Sequence, residues 1–169
     1  MLKDSILTIN HRDIVLLYMN KKTLIVIVIS AFIGVYFFYA IKGTAPIEVN
    51  NAPNWMPLAD AEKKARETNK LILVDVYEVG CKYCREMERE IYPDSTVRAV
   101  LDAGYIPAKV DGNSDELLSF NGKEVMSKEW AQSYGVFVFP GTLIIDADGN
   151  LIKLRTGFMN VDELRRFLY

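Results

Sequence analysis

Residues 23–41, Thr-Leu-Ile-Val-Ile-Val-Ile-Ser-Ala-Phe-Ile-Gly-Val-Tyr-Phe-Phe-Tyr-Ala-Ile, run for 19 positions without one charged side chain. As an α-helix rising about 1.5 Å per residue, the stretch covers roughly the 30 Å hydrocarbon thickness of a bilayer. The alternative, a buried core helix of a small domain, would normally carry a polar face, and this run has none. Tyr36 and Tyr39 stand near one end, where interfacial aromatics collect. Lys21 and Lys22 abut the run on its N-terminal side, with Lys3 and Arg12 farther out; the other flank offers only Lys42 before Lys63. This bias predicts a cytoplasmic segment at residues 1–22, a transmembrane anchor at 23–41 and the remainder outside the cytoplasm. A cleaved signal peptide is the competing reading. Its apolar region is usually about 7–15 residues, and the small-residue site Gly43-Thr44-Ala45 is followed by Pro46. Met19 is an alternative start, which would make residues 1–18 an upstream extension.

Residues 42–56 hold Pro46 and Pro53 with Asn50, Asn51 and Asn54, and read as an extended linker. The domain is placed at 57–169. Half of the chain is hydrophobic and a quarter charged, a balance that predicts a packed core. The net charge of −2 lacks the basic excess of a nucleic-acid binder. Leu58, Ala61 and Ala65 fall at helical spacing within a first helix to Asn69. Leu71 to Tyr77 is a nearly continuous apolar, β-branched run, the mark of a strand covered on both faces. Asp75 alone interrupts it. A charged helical stretch follows to Ile91, and Pro93-Asp94-Ser95 opens another helix. Tyr105–Val110 is the next strand and Lys128–Tyr134 a helix that stops at Gly135. Thr142–Asp146 and Leu151–Arg155 are strands joined by the turn Asp146-Ala147-Asp148-Gly149-Asn150, and Val161–Leu168 is a closing amphipathic helix. The order predicts an α/β domain whose mixed sheet is parallel first, antiparallel last, and covered by helices on both faces.

Only two cysteines occur, at Cys81-Lys82-Tyr83-Cys84, between the buried strand and a helix. Residues i and i+3 share one face of a first helical turn, so the two sulfurs can approach bonding distance. The unpaired N–H groups at a helix start favour a thiolate on the first cysteine, and Lys82 adds positive charge beside it. The second cysteine can then attack a mixed disulfide. A zinc site needs about four ligands and no second pair exists; His11, the only histidine, is predicted across the membrane. Covalent haem would place His after Cys84, where Arg85 stands. No metal or cofactor is expected. A structural disulfide stays open as an alternative, though so short a loop would restrain little.

Residues 57–169 resemble a thioredoxin-fold domain. The likeness is to membrane-anchored extracytoplasmic thioredoxin-like proteins and to the C-terminal domain of thiol:disulfide interchange reductases. It is carried by Leu-Val-Asp-Val-Tyr at 73–77, the Cys81–Cys84 pair, Tyr134-Gly135-Val136 with Pro140, the Asp-Ala-Asp-Gly-Asn turn, and Arg155-Thr156-Gly157-Phe158-Met159. The resemblance implies a three-layer sandwich with a mixed central sheet, here preceded by one transmembrane helix. It implies that Asp75 is the buried acid serving the inner cysteine, that Glu88 is a second acid near the sulfurs, and that Pro140 is a cis-proline facing the disulfide. Gly157 would be a close-packing glycine behind the site. Phe139, Pro140, Lys82 and Tyr83 would meet the substrate. Departures from the family pattern are Gly80 in place of Trp, Phe139 in place of Thr, Val or Ile, Gly141 in place of a frequent Thr, and a longer stretch from Asp111 to Ser127. For Glu88, a solvated face in the run Glu86, Glu88, Glu90 is an equal reading.

These features predict a thiol:disulfide oxidoreductase anchored in a bacterial inner membrane by a single pass. Its domain would be periplasmic, exchanging with protein thiols and disulfides and re-reduced by a membrane electron donor. The reducing direction comes from the resemblance, since Lys82-Tyr83 matches neither the Gly-Pro of reductants nor the Pro-His of strong oxidants. The alternative is a non-catalytic, membrane-tethered binding or assembly factor.

Overall fold

The computed structural model describes residues 20–42 and 49–169. The readings made on residues 1–19 and 43–48 lie outside them. Two units result, one ending at Glu48 and one spanning Val49–Tyr169. In the first, helix α1 covers Lys21–Lys42, and its stretch Lys21–Tyr39 is long and apolar enough to cross a membrane.

In the second unit, α2 (Leu58–Thr68) starts directly after Pro57 and buries Leu58, Ala61 and Ala65. It ends where Asn69 turns left-handed and returns its N–H to the Ala65 carbonyl, a helix stop that asparagine tolerates well. Strand β1 (Leu71–Tyr77) follows. Helix α3 (Lys82–Glu86) then runs into a wider π-helical turn at Met87–Ile91, closed by the Tyr92 N–H on the Met87 carbonyl at 2.9 Å. Helix α4 (Ser95–Gly104) is capped by the Asp94 carboxylate and leads into β2 (Tyr105–Asp111). After β3 (Leu117–Phe120) and β4 (Lys123–Met126) come α5 (Ser127–Ser133), β5 (Gly141–Ile145), β6 (Leu151–Thr156) and α6 (Val161–Leu168).

The main sheet has the order β2-β1-β5-β6. β1 and β2 are parallel, and β5 runs antiparallel to both β1 and β6. One core lies under α2 and α5 with Ile72, Val74, Val76, Leu143 and Ile145. The other lies under α4 and α6 with Leu73, Ile144, Leu101 and Leu164.

The sequence pattern assigns no element to Asp111–Ser127, which proves structured, and one expectation, at residues 49–56, is corrected. The stretch Asp111–Ser127 contains the hairpin β3–β4, turned by Asn121 and Gly122 at φ 52° and 69°, the positive angles that a two-residue hairpin turn requires. Phe120 is buried under it, and Glu62 on α2 accepts the Asn121 N–H at 2.9 Å. Residues 49–56, read as part of the linker, are packed onto the domain. Met56 bridges to Ala108 at the outer edge of β2, and Trp55 packs against Tyr92.

Candidate active site

Side chains of a strand alternate between its two faces. On β1, Ile72, Val74 and Val76 take one core and Leu73 the other. Asp75 shares the parity of Leu73 and faces the helix that carries the cysteines, where it is 1% exposed. Its cross-strand partners are Lys109 on β2 and Thr142 on β5. Tyr92, just after the π-helical turn, donates its hydroxyl to Asp75 Oδ1 at 3.2 Å and lies 3.3 Å from Thr142 Oγ1. Lys109 Nζ stands 3.9 Å from Asp75 Oδ2 and 2.5 Å from Glu88 Oε1. A cavity of about 140 Å³ joins Asp75, Lys109 and Glu88 to Cys84.

Cys81 and Cys84 are joined in a disulfide. Cys81 caps α3, its sulfur accepting the Cys84 N–H at 3.1 Å. The two differ in access: Cys81 is half-buried, and Cys84 is 5% exposed. An outer sulfur that a partner can reach and an inner one shielded from it is the asymmetry that ordered exchange needs.

Burial raises the Asp75 carboxyl from 3.8 to about 7, against the opposing pull of Lys109 and the Tyr92 hydrogen bond, with Glu88 adding to the rise. A carboxyl there can both take and give a proton near neutrality. Burial, with Asp75 beside it, holds the Tyr92 hydroxyl well above its ordinary 10.0, so Tyr92 remains a donor.

Of the other residues singled out from sequence, the Phe139–Pro140 bond is cis. Phe139 does not turn outward. It packs on the core, and its ring would meet a side chain at Gly112. The exposed apolar groups ahead of Pro140 are Phe137 and Val138. Lys82 and Tyr83 are exposed; the Lys82 ammonium lies 5.7 Å over the Tyr83 ring, which stands 6.0 Å from that of Phe158. Glu88 reaches the site through its ion pair with Lys109. Gly157 is not a close-packing glycine, because open space surrounds the position of a Cβ. Its φ of +91° is what calls for glycine, and its N–H donates to the Pro140 carbonyl at 2.7 Å.

Sequence reasoning missed Lys109, Tyr92, Trp55, Phe137 and Val138. For Lys109 a signal existed. It is the fifth residue of its strand and the only charge among Ile106–Val110, as Asp75 is the fifth of its own, and parallel pairing sets the two side by side.

The sequence pattern of a family described as Thioredoxin-like domain matches residues 58–169. The chain belongs to the thioredoxin-like family. Thioredoxin-like relatives of this chain include the thiol:disulfide interchange protein DsbD of Colwellia psychrerythraea, 32% identical over 108 residues, or 63% of this chain and 16% of that protein. DsbD of Ralstonia nicotianae is 32% identical over 117 residues, 64% of this chain and 17% of its own length. This chain thus spans about a sixth of those relatives. Among solved structures, a thioredoxin from Thermus thermophilus superposes with TM-score 0.55 at 21% identity, over 69% of this chain and 85% of that one. A thioredoxin-fold protein from Helicobacter pylori gives 0.53 at 22%, over 60% and 68%. These two establish the thioredoxin fold. Family membership, the DsbD relatives and the Cys81–Cys84 disulfide make the thioredoxin-like domain a thiol:disulfide oxidoreductase.

Proposed function

We propose that this oxidoreductase is held in a bacterial inner membrane by α1, with its domain on the periplasmic side, and that it works there as a reductant of protein disulfides. The observation that carries the reading is the half-exposed Cys81 paired with the shielded Cys84 above an acid that titrates near neutrality. In the reducing direction, the Cys81 thiolate attacks one sulfur of a partner disulfide, and the other partner sulfur leaves as a thiolate that picks up a proton. Asp75, as carboxylate, takes the proton of Cys84 through the cavity between them. The Cys84 thiolate then attacks Cys81 Sγ, closing the internal disulfide and releasing the second partner thiolate. Two electrons have passed to the partner, and a membrane dithiol donor must return them.

In this reading Glu88 tunes Asp75 through Lys109, and Lys82, Tyr83, Phe137, Val138 and the Pro140 loop form the docking surface. Phe139 contributes backbone, since its ring is turned inward. The names of the DsbD relatives support interchange chemistry, and the length and apolar character of α1 support a membrane context.

Replacing Cys84 with Ala tests the proposal, because the mixed disulfide on Cys81 then stalls and can be isolated with its partner. Periplasmic proteins captured by the Cys84→Ala chain, and absent when Cys81→Ser is added to it, are the expected result. A reduction potential above about −150 mV against glutathione would overturn the reducing direction. The second reading, tethered binding without exchange, predicts that Cys81→Ser leaves cellular function intact.

A further inference from the structure

Trp55 lies outside the matched family domain, which begins at residue 58, yet it touches both groups that address Asp75. Its ring meets that of Tyr92 edge-on, with centroids 4.9 Å apart, and the Lys109 ammonium lies 5.4 Å over it. Tyr92 donates to one carboxylate oxygen of Asp75 and Lys109 faces the other. The backbone on either side of Trp55 is fixed by the sheet: the Met56 N–H donates to the Pro107 carbonyl and the Lys109 N–H to the Met56 carbonyl, each at 3.2 Å.

From this arrangement we propose that Trp55 is a positioning residue for exchange: the segment entering the domain along β2 braces the acid site, with the indole holding Tyr92 and Lys109 against Asp75. The proposal deepens the exchange function and rests on that reading. Three features support it. A cation held between two aromatic faces is restrained as well as attracted, and Lys109 lies 5.1 Å over Tyr77 as well. Lys109 and the Tyr92 hydrogen bond are the two influences that oppose burial at Asp75, so a group that holds both in place governs its proton affinity. The Trp55 Nε1 is buried and finds no acceptor among the described residues. A buried donor without a partner costs stability, so the contacts of the ring, not a hydrogen bond, account for this side chain.

The charged and titratable groups around Asp75 are Lys109 from β2, Glu88 and Tyr92 from the helical stretch, Tyr77 from β1, and Glu78 and Arg85 at the cavity wall. None belongs to the 49–56 segment, so a substitution of Trp55 alters the packing of Lys109 and Tyr92 without removing a charge.

The test is a titration of Asp75 by carboxyl carbon NMR on the full oxidised chain in detergent micelles, comparing wild type with Trp55→Phe and Trp55→Ala. Release of Lys109 and Tyr92, whose contacts both favour the carboxylate, should raise the midpoint in Trp55→Ala by about half a pH unit or more. Trp55→Phe, which keeps an aromatic ring over Lys109, should stay close to wild type. The pH profile of disulfide reduction by the reduced chain should move the same way. An unchanged midpoint in Trp55→Ala, with only the denaturation midpoint reduced, would overturn the proposal. If that variant does not fold, Trp55→Leu carries the same two outcomes. The carbon titration is independent of exchange activity, so failure of the exchange reading and failure of this one remain distinguishable.

Discussion

Asp75 is where sequence, burial and chemistry meet. In an unfolded chain its carboxyl ionises near 3.8 and in the fold near 7. Below pH 3.8 both states hold the proton, and the group has no influence on stability. Between the two values the unfolded chain has released a proton that the native state retains, so stability falls as pH rises, and above about 7 the full penalty applies. Asp75→Asn should therefore gain stability over wild type as pH rises from 4 to 7, by roughly 4 kcal/mol at pH 8, while slowing disulfide reduction about tenfold or more. Urea denaturation at pH 4.5 and pH 8 checks the first part, and equal stability differences at both would refute it. Lys109→Met should push the Asp75 midpoint further up, because the attraction that opposes burial is lost; a downward shift in the NMR titration would count against its assigned role. Asp75 was legible in the sequence as the single polar residue in an apolar strand run. Lys109 and Tyr92 were not, because their link to Asp75 depends on the pairing of β1 with β2 and on a turn that brings a residue 17 positions away to the carboxylate.

Helix and strand assignments depended on how local their causes are. α6 begins with a capping box in which Asn160 Oδ1 accepts the Glu163 N–H and Glu163 Oε2 accepts the Asn160 N–H, each at 2.9 Å. Four residues suffice to set that start, and the sequence placed it at Val161. Asn160→Ala should cost about 1 kcal/mol, read as a lower urea midpoint with unchanged slope. An unaltered midpoint would mean that packing of Leu164 and Leu168 fixes the helix end alone. The β3–β4 hairpin was written as plainly, in Phe120-Asn121-Gly122-Lys123, but its strands are short and mostly exposed, so no hydrophobic alternation marked them. The π-helical turn at Met87–Ile91 was invisible for another reason. It differs from an α-helix by one residue in a hydrogen-bonded loop, and side-chain pattern does not resolve that.

For the chain as a whole, the reading of one apolar helix and one α/β domain matches the described elements, and the boundary between linker and domain does not. Val49–Met56 joins the domain because Pro53, Trp55 and Met56 bury apolar surface on it, and proline- and asparagine-rich composition gave no hint of that. The proposed topology has a direct check, since Cys81 and Cys84 are the only thiols. After reduction, a membrane-impermeant maleimide should label the chain in intact spheroplasts, and it should remain with the membranes after carbonate extraction. Labelling only after lysis would reverse the orientation.

Trp55 and Trp130 are the only tryptophans, and they lie on opposite faces of the central sheet, one against the core beneath α4 and α6 and the other within the core beneath α2 and α5. Each is surrounded by different aromatic neighbours, Tyr92 for the first, Phe120 and Tyr134 for the second. Single-tryptophan chains, Trp55→Phe and Trp130→Phe, therefore separate the fluorescence of the two layers. Coincident emission transitions on denaturation would show that both layers melt together, while an earlier transition at Trp55 would mark the entry segment as the first part of the domain to open.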